Sequence, residues 1–298
     1  MTRLLSVSGR ERNYLEKIQQ ELKEYTDECY FDRFGNLVAH KAGKGKKLMF
    51  CCGADECGFV VSHIGKEGQI FVSKLGTFSE KDSARVVSER GLEGILSSGD
   101  EIQVLIGAES AEEAEKAVEI GEIFGYSGDR TENEYAYFGP AADQLLAEQF
   151  IQTIRQITDY KNDLYFVFAV QSKLGGRGEK TAACSIQPDS CYLFRFSDTK
   201  KILTDDKNTP AVRLRDKTTV YDKALCDKII KACRDNKIPM QPEIYDEKDI
   251  GAGNLKLSGT DLAVITFSVE NKNTQNELVR KKNILFTGII INILTNLD

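Results

Sequence analysis

The sequence is poor in histidine. Its 298 residues hold two, His40 and His63. Each lies within or beside a strand-like stretch and reads as a structural or surface residue. Long apolar runs are missing as well. None follows a basic start at the N-terminus, so no signal peptide is expected. The longest late stretch, Ile284 to Leu294, is too short to span a bilayer and is broken by Thr287, Gly288 and Asn292. No membrane association is expected from it. A basic excess is absent too: the formal net charge of −6 argues against a nucleic-acid surface and leaves smaller ligands open. The eight cysteines form no spaced framework. In a chain of this length that points to reduced thiols and a cytoplasmic location. There is no internal repeat and no low-complexity segment.

What is present is enough chain for a large core or two domains. The informative stretch is Leu164 to Cys184, LYFVFAVQSKLGGRGEKTAAC. Leu164 to Val170 is a continuous apolar run, the pattern of a strand buried on both faces of a mainly parallel sheet. Gln171, Ser172 and Lys173 follow at once, then Gly175, Gly176 and Gly178, then a helix-like segment from Glu179. In open α/β sheets chemistry sits where strands end, so this turn is the first place to look for a site.

Around it the pattern predicts α/β architecture. Helices are expected over 10–25, 143–157, 223–236 and 280–294 from apolar residues at helical spacing. Short apolar strands are expected near 28–32, 37–41, 48–52, 191–196, 211–214, 244–245 and 262–269. Between His63 and Phe138 the texture changes to short alternating strands with glycine turns and one helix, 111–118. The expected division is an α/β domain from 1–62 plus 139–298, interrupted by a β-rich module at 63–138.

Several clusters invite chemical readings. Ser172-Lys173 resembles a Ser-Lys nucleophile pair, yet adjacent residues at a strand end point to opposite sides. Cys51, Cys52 and Cys57 lack zinc spacing and read as buried small hydrophobes. The Gly175-Gly176-x-Gly178 loop lacks the Lys-Ser/Thr of a phosphate-binding loop.

The chain also resembles a known family, the self-compartmentalising glutamyl aminopeptidases, some of which were labelled endoglucanase M. SVSGRE, DRFGNLVAHKAGKGKKLMF, LIGAESAEEAEKA, VFAVQ and LGGRGEKTAA are similar to the family's segments in collinear order. The resemblance implies a zinc-aminopeptidase-like three-layer αβα sandwich with an inserted, barrel-like dimerisation domain. It also implies two zinc or cobalt ions in a cage of carboxylates and histidines, with a glutamate as general base.

Carried over residue by residue, the resemblance implies a degenerate site. The family's first metal histidine aligns with Gly53, followed by Asp55 and Glu56. The bridging aspartate aligns with Asp143 and is kept, although Asp143 also reads as a helix N-cap. The base aligns with Ser172 and an adjoining ligand with Lys173. A further ligand aspartate aligns with Arg195, and the C-terminal histidine with Gln275. Glycine has no donor, and lysine and arginine cations repel a dication. No metal or other cofactor is therefore expected, nor a catalytic residue. Asp55, Asp143, Lys173 and Arg195 are expected to form an ion-pair cluster in place of the ions, with Lys173 and Arg195 pairing with Asp143 and Asp55. The expected function is a non-catalytic relative of these enzymes with a binding, regulatory or assembly role. The alternative is an active hydrolase with an atypical metal site or a Ser or Cys nucleophile. Expected partners are further copies of the chain through the inserted domain, a peptide, or an active relative.

Overall fold

The computed structural model describes residues 3–78, 83–99, 101–202, 206 and 208–297. Its centre is an eight-stranded mixed sheet. Four strands run parallel side by side: Asp163–Ala169, Lys47–Gly53, Ser190–Asp198 and Asp261–Val269. On one flank Leu37–Lys41 and Glu28–Phe31 are added antiparallel. On the other flank Ala211–Arg215 pairs antiparallel with Asp261–Val269, and Gln241–Ile244 runs parallel to it. The four central strands are almost wholly buried, because helices cover both faces of the sheet.

Aromatic side chains fill the core. Phe50 stacks on Phe166 and Tyr192 at 5.1 and 5.2 Å between ring centroids. Phe150, on the buried stripe of helix Asp143–Gln156, meets Phe166, Phe168 and Phe194 edge-on. Such contacts add to the area each ring buries.

The inserted module is a closed six-stranded barrel of strands Gly58–Ile64, Ile70–Leu75, Ile102–Leu105, Glu93–Ser98, Ala84–Ser88 and Ile123–Tyr126. Closure leaves no sheet edge open. Phe59, Val61, Ile70, Val86, Val104 and Phe124 form its own core. The first barrel strand starts at Gly58, ahead of residue 63. Phe59-Val60-Val61 reads as a continuation of the main sheet, but the chain enters the barrel directly after the turn at 54–57. The last barrel strand ends at Tyr126. Thr131–Glu132 and Ala136–Phe138 instead join Leu278–Arg280 in a separate three-stranded sheet.

Two further elements depart from the sequence pattern. The expected helix over 280–294 is two helices, Lys281–Ile284 and Thr287–Thr295, preceded by the strand Leu278–Arg280. Helix Ile250–Lys256, with two glycines, has little sequence signal; the Asp249 side chain caps it by accepting from the Ala252 N–H. The polar stretch between the strands expected near 191–196 and 211–214 lies partly outside the described residues.

Candidate functional site

The carboxyl ends of the four parallel strands converge on one cleft, the usual ligand-binding edge of such a sheet. Gly53 ends one strand and Asp55 follows it. The strand Asp163–Ala169 leads to Gln171, whose left-handed backbone (φ 52°) turns the chain into the short 3-10 segment Ser172–Leu174. Arg195 lies near the end of Ser190–Asp198, and Asn273 follows Asp261–Val269. The barrel contributes Thr77 and Phe78. The cleft encloses about 520 Å³.

Asp55 is buried. Its carboxylate accepts from the Ser8 hydroxyl, from the Ser172 N–H at 3.0 Å and from the Lys173 N–H at 2.8 Å. Burial pushes its pKa up to about 7, against the pull of the Lys173 charge. Glu56 turns away to accept from Arg3 at 2.6 Å.

The Lys173 ammonium donates to the Asp143 carboxylate and, at 3.1 Å, to Asn273 Oδ1. Burial disfavours the ammonium, but Asp143 and neighbouring anions outweigh it and hold the lysine above its ordinary pKa. Burial likewise works against the Asp143 carboxylate, and Lys173 above all holds it below the usual range. Glu277 lies behind this pair, accepting from the Ala142 and Asn273 N–H groups at 2.7 Å each. Burial raises its pKa to about 7. Lys272 donates to the Phe196 carbonyl, and burial followed by the charge of Lys173 lowers its pKa to about 8.

Arg195 donates to Glu179 Oε1 at 2.8 Å and to the Asp249 carboxylate. Asp249 also accepts from the buried Arg213 at 2.7 Å, and burial, which opposes its charge, is outweighed by the two arginines, so its pKa falls to about 2. Arg213 continues the chain to Glu243 at 2.7 Å and to Ser197 at 2.6 Å. Its planar fork satisfies three partners at once.

Some expectations are corrected by this geometry. Arg195 does not reach Asp55 or Asp143; its partners are Glu179, Asp249 and, at 3.4 Å, the Ser172 hydroxyl, because it lies under helix Ile250–Lys256, where a Cβ on Gly251 would stand 2.5 Å from Arg195 Nη2. Asp143 is not a helix N-cap: it is the first helical residue and its carboxylate is taken by Lys173. Gln275 lies by the barrel, donating to the Ser127 carbonyl and accepting from the Arg85 N–H. The residue of that loop within the cluster is Asn273. The expected divergence of Ser172 and Lys173, against a nucleophile pair, agrees with the geometry, since the Ser172 hydroxyl donates to Glu179 and the Lys173 ammonium to Asp143. Glu179, Asp249, Arg213, Glu243, Lys272 and Asn273 had no site signal in the sequence. The clue available was the surplus of buried charge on or beside apolar strands.

The cluster is a poor fit for a metal pair. Gly53 supplies no donor, and a Cβ there would stand 2.8 Å from Ser172 Oγ. Two of the aligned positions present cations instead of lone pairs. Among the described residues no group of three or more His, Cys, Asp or Glu side chains is arranged to hold a metal ion.

Known proteins share this architecture. The sequence matches the M42 glutamyl aminopeptidase family over residues 35–88 and 94–287. It is 30% identical over 277 residues to a relative from Acetivibrio thermocellus, covering 86% of this chain and 84% of that one. It is 25% identical over 297 residues to the lysyl aminopeptidase of Pyrococcus furiosus, covering 88% and 85%. In structure it is similar to the Pyrococcus horikoshii TET1 peptidase, which assembles into a tetrahedron or a large octahedral shell; the TM-score is 0.87 at 20% identity over 99% and 97% of the two chains. The chain belongs to the M42 glutamyl aminopeptidase family.

Proposed function

We propose that this chain is a non-catalytic member of its family, a pseudoenzyme in which an internal ion-pair network stands in for the metal centre. The observation that carries this reading is the Lys173 ammonium on the Asp143 carboxylate. Asp143 aligns with the family's metal-bridging aspartate, and an ammonium bound there competes directly with a dication. Ser172, aligned with the general base, offers a hydroxyl already committed to Glu179. A hydroxyl has no proton affinity at neutral pH to activate a water. The alternative of a thiol nucleophile gains little, since burial pushes the Cys57 thiol up to about 12 and keeps it protonated.

The role we assign is binding or assembly, in contact with a peptide, an active relative or further copies of the chain. The shell-forming habit of the Pyrococcus horikoshii relative supports a homo-oligomer, with the barrel as the contact domain. The eight unpaired cysteines suit a reducing compartment such as the cytoplasm. In support of a non-membrane setting, no helix among the described residues is long and apolar enough to cross a membrane.

Elemental analysis of purified protein, with aminopeptidase assays in added cobalt and zinc, tests the proposal. The expected result is substoichiometric metal and background turnover. Stoichiometric metal with turnover overturns it.

A further inference from the structure

The cleft has the opposite charge balance to the chain around it. The whole sequence carries a formal charge of −6, yet seven Lys and Arg side chains line the cleft against four Asp and Glu. Glu179 and Glu243 behind Arg195 and Arg213, and Asp55 and Glu277 behind Lys173, offset this excess in the floor. The surplus gathers at the rim. Lys201 is tied to Glu247 at 2.8 Å, whereas the exposed Lys200 and Lys248 make no ion pair among the described residues. The rings of Phe78 and Tyr245 supply apolar wall.

From this arrangement we infer that the cleft binds a small organic oxyanion, a carboxylate or phosphate on an apolar body, with its charge held at the rim by Lys200 and Lys248. The inference rests on the non-catalytic reading and gives that site its ligand class. Unpaired positive charge at the rim of a concave site concentrates anions there. The free ammonium that an aminopeptidase substrate presents meets the opposite situation, because Lys173 and Lys272 already hold the floor. The fitting ligand therefore lacks a free amine.

Calorimetric titration at low salt tests this with three probes: N-acetylphenylalanine for the carboxylate source, phenyl phosphate for the phosphate source, and phenylalanine amide as the cationic control. The wild-type protein should bind at least one of the two anions and not the amide. The tighter anion identifies the source. Lys200→Ala combined with Lys248→Ala, both exposed sites that leave the fold intact, should weaken anion binding by about tenfold. The inference is overturned if neither anion binds at millimolar concentration, if the amide binds as tightly, or if the double variant binds undiminished. A parallel peptide-hydrolysis assay with zinc and cobalt separates the two failures. Turnover there overturns the non-catalytic reading, whereas an inactive protein that binds neither anion overturns this inference alone.

Discussion

The Lys173 ammonium joins three parts of the chain: its own turn after the strand Asp163–Ala169, the first residue of helix Asp143–Gln156, and the loop residue Asn273. Both members of the Lys173–Asp143 pair are largely buried, with 13% and 16% of their side chains exposed. Removing one partner leaves the other charge stranded.

Lys173→Met should accordingly destabilise the fold by about 3 kcal/mol, at the lower end for a buried pair because this one borders the cleft. Adding Asp143→Asn should recover part of that loss. Urea denaturation of the wild type, the single and the double variant measures both effects. An unchanged midpoint for Lys173→Met would refute the prediction.

Gly251→Ala should destabilise by about 1–3 kcal/mol. Its new methyl would meet the Arg195 guanidinium, which Glu179 and Asp249 hold from two sides and which cannot swing away. Arg195→Met in the Gly251→Ala background should relieve the overlap, so the two substitutions should cost less together than their sum. Strict additivity in thermal melts would count against this packing.

The pH dependence should carry the mark of Glu277. Its folded pKa, about 7, lies above the ordinary value of 4.5. The folded state thus holds a proton that the unfolded state has released, and stability falls as pH rises from that ordinary value through about 7. Glu277→Gln removes the titration and keeps an acceptor for one of the two N–H groups, Ala142 or Asn273, at the cost of setting its amide nitrogen against the other. Its stability should fall less over that window, although Asp55, also near 7, leaves some slope. Asp143 acts in the other direction: held below the ordinary carboxyl range, it contributes above that range and ceases to do so as acid protonates it. Chemical denaturation at pH 5 and pH 8 for both proteins is the check, and equal slopes would sink the assignment.

On the non-catalytic reading, no single substitution toward the residues the family resemblance implies should confer hydrolysis. Lys173→Glu restores one carboxylate and leaves Arg195, Gly53 and Ser172 in place. Gly53→His must displace Ser172, whose hydroxyl stands 2.8 Å from the new Cβ. Two-metal chemistry depends on the whole cage, so each variant should stay at background turnover with added zinc or cobalt. Metal-dependent cleavage by either one alone would disprove this.

The sheet and the floor of the site were readable because burial on both faces writes itself as apolar runs, as in Leu164 to Val170, and because motif order fixed Gly53, Asp143, Ser172 and Lys173. The partners of Arg195 were not. Glu179 and Asp249 are 16 and 54 residues away in sequence, and only the fold brings them under one guanidinium. Asn273 and Gln275 could not be separated by spacing, since a loop of polar residues does not reveal which side chain turns inward. Helix Ile250–Lys256 was hidden by its own glycines, which weaken helix propensity and at Gly251 make room for Arg195.

A metal ion held by side chains is subject to mass action: it leaves when its free concentration falls, and its share of folding stability leaves with it. The Lys173 ammonium is on a covalent tether and has no bulk concentration. The positive charge opposite Asp143 is therefore supplied by translation itself, complete in every copy as it leaves the ribosome, whatever the supply of zinc or cobalt around it.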